Sequence, residues 1–173
     1  MGFNTESSTV SSTYATGSVS GLNYTGGLVG ENNSGTIFGS YASGSVSGPS
    51  GIGGLVGRNY SGTVSNSYAT GSVSCDNSLV GGLVGTNESS STVSDSFYDL
   101  NTTGMDDEDK GTAKTTAEMK TLATFTDTST NGHDAAWDFV GDPNDDASSD
   151  DIWDLGTSIN NGYPYLAKLK NSY

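Results

Sequence analysis

Apolar residues recur at a regular interval through the first half of the chain, within a background of Ser, Thr and Gly. The interval is nine residues and, near the end of the series, ten. The series is Val10, Val19, Leu28, Ile37, Val46, Leu55, Val64, Val73, Leu83 and Val93. Longer segments repeat at a spacing of 27, namely TVSSTYATGSVS from Thr9, TIFGSYASGSVS from Thr36 and TVSNSYATGSVS from Thr63. The pattern predicts three short strands in each turn of about 27 residues, with one apolar residue of each strand pointing inward.

This periodicity predicts an all-β fold, a parallel β-helix or β-solenoid, over residues 1–98. Branched apolar residues beside Ser and Thr are typical of strands, and glycines allow the left-handed corners that sharp turns need. So much glycine excludes helical repeats. Turns that stack at roughly 4.8 Å would form a prism about 15 to 20 Å tall from three to four turns.

A Gly-Gly-Leu-Val-Gly block accompanies each repeat and begins at Gly26, Gly53 and Gly81. Neighbouring residues of a strand face opposite ways. If the leucines point inward, the valines that follow them point outward and form an apolar stripe. Those valines are Val29, Val56 and Val84. We expect the C-terminal region or a neighbouring domain to cover this stripe.

Two polar or aromatic residue types also repeat in register. Tyr14, Tyr41 and Tyr68 predict a stacked ladder near one corner, which is either structural or a platform for glycans. An asparagine stands two residues after a glycine in each repeat. These residues are Asn4, Asn32, Asn59 and Asn87. They predict a hydrogen-bonded amide ladder at a corner that accepts a left-handed backbone.

The combination of GGLVG, SYATGSVSG and a following G-x-N resembles the GLUG-motif repeats of bacterial and archaeal surface proteins. The resemblance covers residues 8–98. It extends to KTTAEMKTLATF from Lys114, WDF at Trp137 and YPYL at Tyr163, which look like the segment that follows such repeats. The resemblance implies adhesins and large exported surface proteins, hence an extracellular or cell-surface location, and no catalytic residues in the repeats.

The regular spacing stops after Tyr98, and residues 99–173 form an acidic C-terminal capping region. Thr115 and Glu118 make a capping box, so one short helix is predicted through Phe125. Aromatic residues follow in short strand-like pieces. Because a solenoid needs a cap over its last turn and its open β-edge, we expect this region to supply it.

Charge excludes several partners. The formal net charge is −14 and there are only six basic residues, so binding to nucleic acid or to an anionic membrane surface is opposed. No apolar run approaches the length of a membrane span, so we expect no membrane insertion. Cys75 is the only cysteine, which excludes an internal disulfide and a cysteine-based metal cluster.

Calcium is the one cofactor for which the chain offers a candidate site. Oxygen-bearing residues alternate as they do in a calcium loop, at Asp142, Asn144, Asp146, Ser148 and Asp150. Ala147 replaces the turn glycine and Trp153 the bidentate glutamate, so a solvated acidic loop is the alternative. The run from Asp106 to Asp109 is a weaker candidate for a metal site.

We expect a non-catalytic structural or adhesion module, such as a stalk or adhesin repeat. Glycan binding by the tyrosine ladder is the alternative. Enzymes on parallel β-helices need converging ionisable groups, whereas the outward positions here are Ser, Thr and Gly, and His133 is the sole histidine. Rows of hydroxyls raise a further ice-binding hypothesis, although Phe38 interrupts one row.

The start of the chain aligns with the inside of a repeat. Met1-Gly2-Phe3-Asn4 aligns with Val84-Gly85-Thr86-Asn87. We therefore expect a C-terminal piece of a longer array, with Val10, Val19 and Leu28 exposed at an open end. Its partners would be neighbouring repeats of a parent chain, or a second copy through the N-terminal edge.

Overall fold

The structure is a computed structural model that describes residues 2–76, 79–88, 90–107, 109–129, 132–141 and 151–168. The chain is all-β and winds into a parallel β-solenoid of about three turns, as the periodicity predicts. The described residues also form two short α-helices, α1 at Leu100–Thr103 and α2 at Ala123–Thr126. In the part of the chain that the structure describes, no helix is long and apolar enough to cross a membrane.

Each turn contains five short strands. The first turn has β1 Phe3–Thr5, β2 Thr9–Ser11, β3 Tyr14–Ala15, β4 Val19–Ser20 and β5 Asn23–Gly26. The second has β6 Val29–Asn33, β7 Thr36–Phe38, β8 Tyr41–Ala42, β9 Val46–Gly48 and β10 Ser50–Gly53. The third has β11 Val56–Tyr60, β12 Thr63–Ser65, β13 Tyr68–Ala69, β14 Val73–Cys75 and β15 Val80–Gly81. A partial fourth turn has β16 Val84–Glu88, β17 Thr92–Ser94 and β18 Phe97–Asp99.

In the part of the chain that the structure describes, equivalent strands of successive turns pair in parallel and form five sheets. The sheet of β1, β6, β11 and β16 is here called the asparagine sheet. The tyrosine sheet contains β3, β8, β13, β18 and the later strand β19, Thr112–Lys114. The remaining parallel sheets are β2-β7-β12-β17, β4-β9-β14 and β5-β10-β15. In the first of these, Val10 pairs with Ile37, Ile37 with Val64 and Val64 with Val93.

The prediction of three strands per turn is wrong, because each complete turn has five. The predicted pairing of equivalent residues in successive turns is right. Left-handed residues split the segments that the nine-residue spacing treats as single strands. Ser12, Gly39, Asn66 and Asp95 occupy equivalent positions between a Thr-Val-Ser-type strand and the tyrosine-bearing one, and all have positive φ. A single residue in this conformation redirects the chain, so one expected strand becomes two.

Most residues of the apolar series point inward as predicted, whereas Val19 is only partly buried. Ile37, Leu55, Val64 and Leu83 are fully buried in one core cluster, and Val46 and Val73 form a second cluster with Ile52. Val10 and Leu28 are only 7% and 6% exposed, so the expected exposure of these two residues at an open end is wrong. Both residues belong to the same core cluster as side chains of the following turns.

The predicted outward stripe of valines is also wrong. Val29, Val56 and Val84 are all 0% exposed and lie in the same core cluster as the leucines that precede them. The reason is local: Leu28 lies in a bend and not in a strand, and the amides of Leu28 and Val29 both donate to the Leu55 carbonyl, at 3.0 and 3.1 Å. The alternation of a regular strand therefore does not hold across this pair.

The C-terminal region begins by closing the last turn. Asp99 caps helix α1 through the amide of Asn101 at 2.9 Å, and Met105 packs against the core. The Asp107 carboxylate then accepts from the Gly82 amide at 2.9 Å. Strand β19 pairs in parallel with β18 and extends the tyrosine sheet by one strand. These contacts cover the end of the core and satisfy part of its open edge.

The described residues after β19 pack along the side of the solenoid, against its column of outward aromatic rings. The capping box is confirmed, since Thr115 and Glu118 hydrogen-bond each other in both directions. The single helix predicted there is wrong: a 3-10 turn at Glu118–Lys120 ends where Thr121 becomes extended, and α2 follows. Strands β20, Trp153–Asp154, and β21, Tyr165–Leu166, then form an antiparallel pair.

Candidate functional site

The tyrosine ladder is formed by the tyrosine sheet. Tyr14 pairs with Tyr41, and Tyr41 with Tyr68. Their rings stack with centroids 5.2 and 5.0 Å apart and are nearly parallel, at 15° and 3°. The alanine after each tyrosine belongs to the core, so the rings point outward from the solenoid. The predicted stacking is confirmed.

Sequence reasoning missed the fourth member of this column. Phe97 pairs with Tyr68 in the next turn and is fully buried. The signal was present in the chain, because SFYD from Ser96 stands where SYAT stands in the repeat before it. An aromatic column of four residues therefore runs along the outside of the solenoid.

Most of the ladder is covered by the C-terminal region. Trp153 lies 6.1 Å from the Tyr41 ring and 5.7 Å from the Tyr68 ring, measured between centroids. The Tyr68 hydroxyl donates to the Pro164 carbonyl and accepts from the Asn160 amide at 2.7 Å. Burial raises the pKa of Tyr68 well above its usual range. Tyr41 is 4% exposed and Tyr68 0%, so only Tyr14, at 38%, is accessible to a ligand.

A cavity of about 320 Å³ lies beside Tyr14. Its walls come from both parts of the chain, and they are Tyr14, Thr16, Tyr41, Ser158, Ile159, Asn160 and Tyr165. The Tyr165 hydroxyl donates to the Asp154 carboxylate at 2.7 Å, and burial raises the pKa of Tyr165 to about 12. Asn160 uses both amide hydrogens within the protein, on the Tyr68 hydroxyl and the Pro164 carbonyl, so its side-chain oxygen is what it can offer to a ligand.

The asparagine ladder is structural. Asn4 donates to Asn32 at 2.8 Å, Asn32 to Asn59 at 2.8 Å, and Asn59 to Asn87 at 2.9 Å. The predicted amide ladder is thus confirmed. The predicted left-handed backbone at these residues is wrong: positive φ occurs two residues later, at Ser34 and Ser61. The short Ser side chain accepts the corner there, and the Asn remains in a strand.

A charged cluster that the sequence did not reveal lies on the asparagine sheet. Arg58 forms ion pairs with Glu88 at 2.9 Å and with Glu31 at 3.4 Å. Its guanidinium group lies between the rings of Tyr24 and Tyr60, at 5.0 and 4.7 Å from their centroids. The hydrogen bond from Arg58 lowers the pKa of Glu88. The 27-residue register that places Arg58 beside Glu31 was the available signal.

The candidate calcium residues Asp142, Asn144, Asp146, Ser148 and Asp150 all lie outside the described residues, so calcium binding stays a prediction. In the weaker acidic run, Glu108 also lies outside them. Asp107 pairs with Lys110 at 3.5 Å and holds the last turn. Among the described residues, no three Asp, Glu, His or Cys side chains lie close enough to bind a metal ion.

His133 and the hydroxyl rows also have definite places. His133 is buried, with Nδ1 3.2 Å from the Asp127 carbonyl oxygen and its ring against Phe97. The threonine row is in register through Thr9, Thr36, Thr63 and Thr92. In the parallel serine row, Phe38 stands between Ser11 and Ser65 and interrupts it, as expected.

These features define the class of protein: a β-solenoid repeat protein whose aromatic C-terminal region packs along the side of the solenoid. Residues 48–74, which make up one turn, match the GLUG motif. A protein of Evansella cellulosilytica that is named as a Gly-rich membrane protein is 49% identical over 65 residues. That alignment covers 36% of this chain and 7% of the relative, so the chain spans a small part of that protein's length. No significant match to a solved structure was found.

Proposed function

We propose that this chain is a non-catalytic structural segment of a secreted or cell-surface protein, a stalk or adhesin repeat that spaces or presents other parts of its parent chain. The observation that supports this role best is the stacking of the turns in one register across five parallel sheets. In such a stack each turn contacts only its neighbours. Length can therefore be added turn by turn without a new core.

The comparisons are consistent with this role. One turn matches the GLUG motif, and the relative named as a membrane protein is much longer than the matched segment. A repeat segment within a large protein at a membrane is a natural place for a spacer. Antibodies raised against this chain should label intact cells of the source organism. Labelling that requires permeabilised cells would contradict the surface location.

A duplicated turn tests the spacer role directly. We would insert a second copy of residues 36–62 after Gly62, with 27 residues of Gly and Ser as the control insertion. The duplicated turn should raise the melting temperature, because it adds a complete interface between neighbours. It should also lengthen the particle by roughly 5 Å in small-angle scattering. A duplicated turn that behaves like the Gly-Ser insertion would contradict the proposal.

The open edge of the first turn is the proposed partner surface. Strands β1 to β5 each pair with the second turn on one side, and within the described residues they have no strand on the other side. Unpaired strand edges favour pairing with further strands. We propose that a neighbouring repeat, or the same edge of a second copy, occupies it. Sedimentation at increasing concentration should show self-association. A strict monomer whose stability does not rise when one more 27-residue turn is added before residue 1 would contradict this.

Absence of catalysis is part of the proposal. On the repeats, Glu31 and Glu88 pair with Arg58, and His133 is buried in the C-terminal region. Polysaccharide-active β-helices need carboxylates or bases that converge on a groove. We expect no turnover of pectin, alginate or peptides. Turnover that a single carboxylate substitution or His133→Ala abolishes would overturn this expectation.

A further inference from the structure

The cavity beside Tyr14 is built where the first turns of the solenoid meet the loop before β21. Tyr14, Thr16 and Tyr41 contribute from the solenoid, and Ser158, Asn160 and Tyr165 from the C-terminal region. Cavities between two parts of a fold, mostly apolar with a few convergent polar groups, are typical of ligand sites. At about 320 Å³ this one is at the lower end of their usual size range.

The aromatic wall of the cavity is rigid and partly open. One face of the Tyr14 ring stacks on Tyr41, which is itself buried between Tyr14 and Tyr68. Tyr14 keeps 38% of its surface exposed, and Ile159 and Tyr165 add further apolar surface. A ring that is already fixed by stacking loses little conformational freedom when a flat apolar face packs on it.

Among the described residues, the polar groups that line the cavity are all neutral. Thr16 and Ser158 provide hydroxyls that both donate and accept, and the Asn160 side-chain oxygen accepts. The nearby Asp154 carboxylate already accepts from the Tyr165 hydroxyl at 2.7 Å. The formal net charge of the chain, −14, opposes an anionic ligand. An apolar ring face combined with neutral hydroxyls and an amide matches a neutral sugar, which has an apolar face and a rim of hydroxyl groups.

We propose that this cavity binds one neutral hexopyranose unit of a glycan, with the apolar face of the sugar on Tyr14 and its hydroxyls on Thr16, Ser158 and Asn160. A spacer can lack a sugar site, and a sugar-binding module can also act as a spacer, so this site and the spacer role are independent of each other. The site replaces the three-ring platform expected from the tyrosine ladder, because Tyr41 is nearly buried and Tyr68 completely buried.

The test is an NMR titration of the ¹⁵N-labelled chain with hexasaccharides of glucose, galactose and mannose, and with hexagalacturonate as the charged counterpart. At least one neutral hexasaccharide should shift the resonances of Tyr14, Thr16 and residues 158–160. Hexagalacturonate should bind more weakly than the neutral compounds. If no neutral hexasaccharide shifts these resonances at concentrations on the order of 10 mM, the proposal fails.

Three variants locate the contact. Tyr14→Ser should weaken binding by about tenfold or more, because it removes the aromatic wall, whereas Tyr14→Phe should retain most of the affinity. Thr16→Val, which removes one hydroxyl at similar size, should weaken binding by about threefold to tenfold. Tyr24→Ser is the matched control, since Tyr24 has the same 38% exposure but does not line the cavity.

Thermal unfolding separates lost contact from lost structure. All four variants should remain folded, and Tyr24→Ser should bind the sugar like the wild type. Binding that survives Tyr14→Ser, or that Tyr24→Ser weakens equally, would overturn the assignment of the cavity. If Tyr14→Ser does not fold, the sugar affinity of Thr16→Val is compared with that of the wild type instead. Weaker binding by Thr16→Val, together with wild-type resonance shifts at Tyr14, Thr16 and residues 158–160, supports the cavity, and unchanged binding contradicts it.

Discussion

One set of the side chains that connect successive turns is short and polar. Asn59 is the central example: its amide accepts from Asn32, and its two hydrogens donate to Asn87 and to the Gly62 carbonyl at 3.1 Å. Asn32 and Asn59 are completely buried. A buried amide that bonds to the asparagine on either side of it in the column stabilises the register as well as the fold, since a shifted register leaves these groups without each other.

Replacement of Asn59 tests this column. Asn59→Ala removes the acceptor of Asn32 and the donor to the Asn87 side-chain oxygen, and it leaves the Gly62 carbonyl with only the hydrogen bond from the Thr92 amide. We expect a loss of about 2 to 4 kcal/mol in the free energy of unfolding, measured by urea denaturation. Asn23→Ala, at an exposed position of β5, should change it by about 0.5 kcal/mol or less. Equal effects of the two substitutions would show that the amide ladder does not stabilise the fold.

Calcium binding is a second prediction at the level of residues. If the alternating oxygens from Asp142 to Asp150 form a site, calcium should raise the melting temperature of the wild type, because a ligand that binds only the folded state stabilises it. The double variant Asp142→Ala, Asp146→Ala should not respond. Identical melting curves of the wild type in calcium and in chelator would end the hypothesis.

The residue patterns predicted which side chains stack on one another in successive turns, but not which residues cover those stacks. The Tyr and Asn ladders follow from the 27-residue spacing alone, because parallel in-register strands place equivalent residues side by side. The cover on Tyr68 did not follow, since Pro164 and Asn160 reach it from more than 90 residues away. The cavity beside Tyr14 depends on the same distant contacts.

At the level of elements, the glycines of the GGLVG block allow the backbones of neighbouring strands to lie close together. A Cβ on Gly57 would lie 2.3 Å from the Tyr24 carbonyl carbon and 2.6 Å from the Gly30 oxygen. A Cβ on Gly53 would lie 2.0 Å from the Val56 oxygen. Neither glycine has positive φ. The glycines are therefore needed because backbones of neighbouring strands touch, and not because the chain turns in a left-handed sense.

Two alanine substitutions separate these roles. Gly57→Ala should destabilise the protein by about 3 kcal/mol or more, because its methyl group would overlap backbone atoms that cannot move aside. Gly17→Ala is the control: no atom lies within 4 Å of its Cβ position, and the effect should stay below about 1 kcal/mol. Both values come from urea unfolding. A mild effect at Gly57 would contradict the close approach of β5 and β11.

The elements themselves were predictable only in part. The spacing of Val10, Ile37 and Val64 predicts a parallel solenoid, and the structure has that fold. Five strands per turn were not predictable from apolar spacing, because the dividing residue is Ser12, Gly39 or Asn66, three residue types without a common signature. The burial of Val29 was not predicted, because the inward and outward alternation of side chains in a regular strand does not continue through the bend at Leu28.

At the level of the whole molecule, an aromatic cluster joins the repeats to the C-terminal region. Trp137 packs against Tyr68, Phe97 and Trp153, with ring centroids 6.4, 5.7 and 4.9 Å apart. Its indole N–H donates to the Asp95 carbonyl at 2.8 Å. Since both parts of the chain contribute to one buried cluster, they should unfold together in a single transition.

Alkaline pH should loosen this connection. Burial, with hydrogen bonds to Asp99 and Asp154, raises the pKa values of Tyr163 and Tyr165 to about 12, against 10.0 for a free tyrosine. The folded state thus holds these protons more tightly, so the stabilisation is complete below pH 10 and is lost as the pH rises to about 12. Urea unfolding between these pH values should show the decline. The double variant Tyr163→Phe, Tyr165→Phe should decline less steeply, and an equal slope would contradict the assignment.

The stacking of equivalent residues in successive turns is tested most directly by nuclear Overhauser contacts in the methyl-labelled chain. Ile37 should contact Val10 and Val64 at the same time, and Val64 should also contact Val93, because these residues pair in three consecutive strand ladders. An Ile37 that contacts only residues close to it in sequence, or only one of the two valines, would contradict the solenoid.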